Sequence, residues 1–124
     1  MGVTKRILVA DDDVAIAELL SQSLKEEGYE VQTSVQSLRF YDAVREFRPD
    51  LILLDLMMPY LEGEDELRLM QLNQETAHIP VIVVTAKADV GRDEPTLRQL
   101  GVVHIVRKPF DLNQLIAQVK QTVG

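Results

Sequence analysis

Five polar side chains, spread over nearly the whole chain, are of types that together handle phosphate groups. They are Asp11, Asp12, Asp55, Thr85 and Lys108. Each lies just after a short apolar run of the kind that forms a strand buried on both faces of a parallel sheet. Functional groups of such a sheet gather beyond the carboxyl ends of its strands, so we expect these side chains to converge. Three carboxylates, a hydroxyl and an ammonium suit a divalent hard cation and a phosphoryl group.

Apolar runs alternate with helical stretches along the chain and predict five strand–helix units. The predicted strands are 6–10, 29–35, 51–54, 81–84 and 103–106, and the predicted helices are 14–27, 38–47, 64–72, 95–100 and 112–123. No linker, repeat or low-complexity stretch divides them. Strands and helices that alternate with short connections imply right-handed crossovers and a three-layer α/β sandwich.

Capping and breaking residues set the ends of the predicted helices. Gly28 is expected to stop the first helix and Ser37 to cap the second. The fourth helix is expected to be short, with Pro95 in its first turn, where proline is tolerated, and Gly101 at its end. Asp111 is the expected N-cap of the last helix.

Composition restricts the classes of function. A chain of 124 residues forms one domain, 1–124, that can bury a core without metals or disulfides. The absence of cysteine excludes a disulfide framework, a thiolate nucleophile and a cysteine-ligated zinc site. The net charge of −7 argues against non-specific binding to nucleic acid. No apolar run approaches the roughly 20 residues of a membrane span, and no signal peptide fits before the first strand, so we expect a soluble cytoplasmic protein.

The acidic run 11–13 allows two interpretations. Asp13 is expected to cap the first helix, and the other two carboxylates could simply be solvated. However, adjacent carboxylates repel, and a third one at Asp55 would raise at least one pKa unless a cation lies among them. Mg²⁺ relieves this repulsion and needs only one or two carboxylates, with water and phosphate oxygens as its other ligands. The backbone carbonyl of Met57 could face the same cation, while the Met57 side chain is expected to pack in the core.

The remaining polar residues fit the transfer of a phosphoryl group. A carboxylate such as that of Asp55 can act as a nucleophile and form an aspartyl-phosphate. The hydroxyl of Thr85 could donate to a phosphoryl oxygen, and the ammonium of Lys108 is a flexible point charge suited to a phosphate or a carboxylate. Pro109 restricts the backbone at Lys108 and would aim its ammonium into the crevice. Each residue alone is also compatible with ordinary strand-end chemistry, but the coincidence at four strand ends favours a site.

Four stretches of the chain resemble the receiver domain of two-component response regulators. They are ILVADDD (7–13), DLILLDLMMPYLEG (50–63), VIVVTA (81–86) and RKPF (107–110). The resemblance spans essentially the whole chain. It implies a flavodoxin-like or CheY-like fold, with a five-stranded parallel sheet in the order 2-1-3-4-5 and five helices.

The resemblance also implies a function in a phosphorelay. Asp55 would accept a phosphoryl group from a sensor histidine kinase or a phosphotransfer protein. Mg²⁺ would be held by Asp11, Asp12, Asp55 and the Met57 carbonyl, and the phosphoryl group would be contacted by Thr85, Ala86 and Lys108. The phosphorylated domain would act on an output domain or a downstream protein through the surface of the fourth helix, fifth strand and fifth helix. It would bind neither nucleic acid nor membrane directly, and would catalyse only its own phosphorylation and dephosphorylation.

One departure from the family pattern leaves an alternative open. The position three before Lys108 is usually aromatic or histidine, but here it is Ile105, which has no ring or hydroxyl to couple to Thr85. A phosphorylation-independent interaction module with the same fold is therefore the main alternative. A haloacid dehalogenase-type phosphatase normally has a second Asp two residues after its nucleophile, where this chain has Met57. A flavodoxin-like nucleotide binder would need a phosphate loop after the first strand, and none follows it.

Overall fold

The computed structural model describes residues 3–36, 39–58 and 63–124, which form five strands and five helices in alternation. The strands are β1 (Arg6–Ala10), β2 (Glu30–Ser34), β3 (Leu51–Leu54), β4 (Val81–Thr85) and β5 (Val102–Arg107). The helices are α1 (Val14–Glu26), α2 (Phe40–Phe47), α3 (Gly63–Leu72), α4 (Val90–Gln99) and α5 (Leu112–Val123). All strand pairs are parallel and the sheet order is β2-β1-β3-β4-β5. The predicted α/β fold and strand order are confirmed.

The apolar strands fill two cores, one on each face of the sheet. Side chains of a strand alternate between its faces, so an unbroken apolar run such as Leu51–Leu54 supplies both. Ile52 and Leu54 pack with residues of α2, α3 and α4, whereas Leu51 and Leu53 pack with residues of α1 and α5. All four residues of β3 are buried, as are all five of β4. The central strands therefore form a rigid middle layer whose carboxyl ends carry the polar residues.

Helix α1 begins at the end of the acidic run. The side chain of Asp13 accepts hydrogen bonds from the backbone N–H groups of Ala15 and Ile16, at 3.0 and 3.3 Å. These bonds satisfy donors that have no partner within the helix, which confirms Asp13 as the N-cap. Gly28 follows the helix with φ +96°, a conformation that favours glycine.

Helix α4 differs from its prediction. It begins five residues earlier, at Val90, and Pro95 lies inside it rather than in its first turn. The signal at Pro95 was outweighed by packing, because Val90 and Leu97, two turns apart on one face, are both fully buried. Proline removes one backbone hydrogen bond, and the burial of these two side chains compensates for that loss. Gly101 follows the helix with φ +98°.

The other helices lie close to their predicted bounds. Helix α5 matches its prediction, and Asp111 caps it by accepting a hydrogen bond from Gln114 N–H at 3.0 Å. Helix α2 begins at Phe40, and its N-cap Arg39 makes no side-chain capping bond. The cap predicted at Ser37 lies outside the described residues. Within the described ranges, none of the helices has the length and apolarity that a membrane crossing requires.

We expect Asp13→Ala to lower the free energy of unfolding by about 1 kcal/mol, because two N–H groups of α1 lose their acceptor. The measurement is urea denaturation in the presence of a chelator. The control is Glu18→Ala, an exposed position within α1 that makes no capping bond. Equal stability of the two variants would contradict the capping role.

Candidate functional site

Four strand ends bring the predicted polar residues together at one edge of the sheet. Asp11 and Asp55 directly follow β1 and β3, Thr85 ends β4, and Lys108 directly follows β5. The side chains meet because the strands are parallel and β1, β3, β4 and β5 are neighbours in that order. Asp11, Asp55 and Thr85 are buried, with 2%, 5% and 0% of their surface exposed. The predicted convergence is confirmed.

Lys108 holds the two buried carboxylates together. Its Nζ lies 2.7 Å from Asp11 Oδ2 and 2.8 Å from Asp55 Oδ2. The backbone fixes the approach, since Lys108 N–H donates to the Thr85 carbonyl at 2.9 Å. The following peptide bond, Lys108–Pro109, is cis, and Pro109 itself is exposed.

The carboxylate of Asp55 is held by contacts on both oxygens. Oδ1 accepts from the N–H of Met57 at 2.9 Å and from Thr85 Oγ1 at 3.0 Å. Oδ2 accepts from Lys108. Thr85 Oγ1 in turn accepts from the backbone N–H of Lys87 at 3.2 Å. Asp55 is thus oriented by three donors from three different segments of the chain.

Three carboxylates of the site form a group that can hold a metal ion. Asp11, Asp12 and Asp55 each offer one oxygen, and these atoms all lie within 4.8 Å of one another. Asp12 is exposed, whereas the other two are buried, so the group opens to solvent on one side. Clustered carboxylate oxygens with an open side fit a hard divalent cation that retains water ligands.

The pKa values in the site reflect burial and the contacts between Lys108 and its two carboxylates. Burial raises the pKa of Asp11 above its ordinary value, although hydrogen bonds from Lys108 and from Asp13 N–H oppose the shift. Burial by itself would lower the pKa of Lys108, but hydrogen bonds to Asp11 and Asp55 outweigh it and raise that pKa. One ammonium does not neutralise the two buried carboxylates and the neighbouring carboxylate of Asp12. The remaining negative charge favours a further cation.

Other residues singled out in the sequence lie around the site rather than in it. Ala86 follows Thr85 and is exposed. Ile105 is half-buried and packs against the core on the α2–α3–α4 face. The Met57 side chain is 56% exposed, so the expectation that it packs in the core was wrong. Residues 59–62 of the motif that follows Asp55 lie outside the described residues.

A polar pocket beside the site was not predicted from the sequence. Its volume is about 310 Å³, and it is lined by Leu56, Gly63, Glu64, Asp65, Lys87, Asp93 and Leu97. Across it, Lys87 Nζ contacts Asp93 Oδ2 at 2.7 Å. The position of Lys87 two residues after Thr85 is a weak signal in the sequence. Asp93 belongs to an acidic pair with Glu94 that follows the fourth predicted strand and is also compatible with a solvated surface, and its segment was expected to lie outside a helix.

Comparison with known proteins identifies the family to which these features belong. The family described as response regulator receiver domain matches residues 7–120. The chain is 36% identical over 115 residues to the DNA-binding dual master transcriptional regulator RpaA of Synechocystis, and the match covers 93% of this chain and 47% of RpaA. It is 33% identical to the polar-differentiation response regulator DivK of Brucella ovis, over 98% of both chains. The chain spans about half the length of the first curated relatives it matches.

Solved structures support the same relationship. The receiver domain of a response regulator from Bermanella marisrubri superimposes with a TM-score of 0.85 at 28% identity, over 98% of this chain and 100% of that one. The shared architecture therefore extends over the whole sheet and its helices.

We expect Lys108→Met to lower the free energy of unfolding by about 3 kcal/mol at neutral pH, because two buried carboxylates lose their shared cation. The measurement is urea denaturation without divalent metal. The matched control is Lys87→Met, whose more exposed ion pair should contribute about 1 kcal/mol or less.

The pH dependence of this difference has a defined sign. The pKa of Lys108 is raised in the folded protein above its ordinary 10.5. Its contribution is therefore complete below the unfolded-state pKa and disappears as the pH rises through the higher folded-state pKa. On the alkaline side, the gap between wild type and Lys108→Met should close only in that range. A gap that closed between neutral pH and that range, or a loss no larger than that of Lys87→Met, would contradict this account.

Proposed function

The chain belongs to the response regulator receiver domain family, and on that premise we propose that Asp55 is its phospho-acceptor. The family makes the protein a signalling domain of two-component regulation. The proposal extends the receiver domain over the whole of residues 1–124. The observation that carries it is the Asp55 carboxylate, which is buried and oriented between Thr85 and Lys108.

The proposed reaction transfers a phosphoryl group from a phosphohistidine to Asp55. One carboxylate oxygen of Asp55 attacks phosphorus, and the phosphorus–nitrogen bond breaks with its electron pair returning to the imidazole. The ammonium of Lys108 offsets negative charge on the phosphoryl oxygens, and the hydroxyl of Thr85 donates a hydrogen bond to one of them. The backbone N–H of Ala86 is the third contact proposed for the phosphoryl group. Attack of water on the acyl phosphate reverses the modification.

A divalent cation, proposed to be Mg²⁺, belongs to this reaction. Asp11, Asp12 and Asp55 are its proposed side-chain ligands, and the carbonyl of Met57 is a proposed backbone ligand. When bound there, the ion supplies positive charge that offsets the negative charge of the phosphoryl group. Support for this assignment comes from the three clustered carboxylates, of which Asp12 is exposed to solvent.

The proposed partners follow from the family. A sensor histidine kinase or a phosphotransfer protein would donate the phosphoryl group, and an output domain or downstream protein would bind the surface formed by α4, β5 and α5. The name of RpaA describes that longer protein as DNA-binding. For this domain, the net charge of −7 supports a proposal of no direct contact with nucleic acid. We propose no enzymatic activity beyond its own phosphorylation and dephosphorylation.

A second candidate is an interaction module of the same fold that works without phosphorylation. Ile105 favours it, because an apolar side chain packed against the core cannot make the polar coupling to Thr85 that an aromatic hydroxyl or a histidine can. The complete set of acidic residues favours the phospho-acceptor instead.

Incubation with acetyl phosphate and Mg²⁺ should add one phosphoryl group to the protein, as measured by intact mass. The adduct should be absent from Asp55→Asn and from a sample treated with a chelator. Asp55→Asn keeps the size of the side chain and removes only the nucleophile. An unmodified wild-type protein would favour the interaction module, and a modified Asp55→Asn would place the acceptor elsewhere.

We expect Asp12→Ala to abolish the stabilisation by Mg²⁺ without lowering the stability of the metal-free protein. Asp12 is exposed, and its removal relieves repulsion among carboxylates, so the apo protein loses nothing. In wild type, Mg²⁺ at ten times its Kd should raise the free energy of unfolding by roughly 1.4 kcal/mol. The measurement is urea denaturation with and without Mg²⁺. Asp13→Ala is the converse control, since it should weaken the fold and keep the response to Mg²⁺.

A further inference from the structure

Lys87 contacts both the phosphoryl site and helix α4. Its backbone N–H donates to Thr85 Oγ1 at 3.2 Å, the same oxygen that donates to Asp55. Its side chain reaches in the other direction, where Nζ donates to Asp93 Oδ2 at 2.7 Å. Asp93 lies in the first turn of α4. A single residue therefore spans the connection between β4 and α4.

The Lys87–Asp93 ion pair connects the loop after β4 to the first turn of α4. The two side chains are 38% and 26% exposed, so the pair is partly shielded from solvent. The hydrogen bond to Asp93 raises the pKa of Lys87, against the effect of burial, and the carboxylates of Asp89 and Glu64 act in the same direction. Lys87 therefore stays charged, and it faces carboxylates at the beginnings of both α3 and α4.

The fifth strand offers a weaker polar connection to this loop. Ile105 has no polar atoms in its side chain and packs in the core beneath α4. Arg107 Nη1 approaches the carbonyl of Ala88 at 3.4 Å, near the limit of a hydrogen bond. The shorter contact, from Lys87 to Asp93, is the tighter polar link between the loop after β4 and helix α4. This helix is part of the proposed partner surface formed by α4, β5 and α5.

We propose that the Lys87–Asp93 ion pair couples phosphorylation of Asp55 to the position of α4. The inference rests on the proposed function and names the route by which its signal leaves the site. When Asp55 is phosphorylated, the Thr85 hydroxyl moves from Asp55 Oδ1 to a phosphoryl oxygen. The N–H of Lys87 follows its acceptor, and the side chain of Lys87 moves Asp93 and the first turns of α4. The Lys87–Asp93 ion pair thus takes the place of the coupling between Thr85 and an aromatic residue at position 105, which Ile105 cannot make.

NMR of the backbone amides tests this coupling, with beryllofluoride and Mg²⁺ as a stable mimic of the phosphoryl group. In wild type, the mimic should shift the amides of Met57 and Thr85, and also those of α4 from Val90 to Glu94 and at Thr96 and Leu97. In Lys87→Met and in Asp93→Ala, the site amides should still shift and the α4 response should be lost. The two variants break the same pair from opposite sides, because neither methionine nor alanine can form the Lys87–Asp93 hydrogen bond.

The matched control is Glu94→Ala. It breaks the Arg98–Glu94 pair, which also lies on α4 and measures 2.8 Å. The described hydrogen bonds of Arg98 go to Glu94 and to the Val103 carbonyl rather than to the loop after β4. It should keep the full response of wild type. Loss of that response in the control would show that α4 is sensitive to any broken ion pair, and would overturn the specific role of Lys87.

The remaining outcomes separate the coupling from the function on which it rests. If wild type shows no shift at Met57 and Thr85, the phospho-acceptor function fails. If these amides shift but α4 does not move in wild type, or moves as much or more in either variant, the pair does not transmit the signal. Loss of the α4 response in both variants, with the site response kept, supports coupling through the Lys87–Asp93 ion pair.

Discussion

A single ammonium between two buried carboxylates is the interaction on which the site depends. Lys108 Nζ contacts both Asp11 and Asp55, and each of these residues follows a different strand. Carboxylates this close can remain ionised inside a protein only if positive charge accompanies them. One ammonium leaves net negative charge among Asp11, Asp55 and the neighbouring Asp12, whose oxygens lie within 4.8 Å of one another. A group of this kind can hold a metal ion.

The scaffold keeps these groups in place through burial of the strands and through backbone hydrogen bonds at their ends. Strands β3 and β4 are buried on both faces, so the residues that follow them leave the sheet from fixed positions. The acidic run is divided between tasks at this edge. Asp11 is buried and contacts Lys108, Asp12 faces solvent, and Asp13 caps α1. Adjacent residues of one chemical type thus perform different work because the chain turns between strand and helix.

At the connection between β4 and α4, side-chain packing outweighs the local preference of the sequence for where the helix begins. Proline at position 95 favours a helix start, yet Val90 and Leu97 are both fully buried and place the start five residues earlier. This longer helix brings Asp93 into its first turn and within reach of Lys87. The contact between Lys87 and Asp93 therefore depends on tertiary packing that outweighs the preference of proline.

The sequence by itself determined the alternation of elements, because apolar runs and caps such as Asp13 and Asp111 act through neighbours in the chain. It also identified Asp11, Asp55, Thr85 and Lys108, because a polar residue after an apolar run must lie at a strand end. Only the tertiary structure decided their distances, the side chain of Met57 in solvent and the contact of Lys87 with Asp93. These features depend on how helices pack across the sheet. Such packing joins residues far apart in sequence, and local patterns contain no record of it.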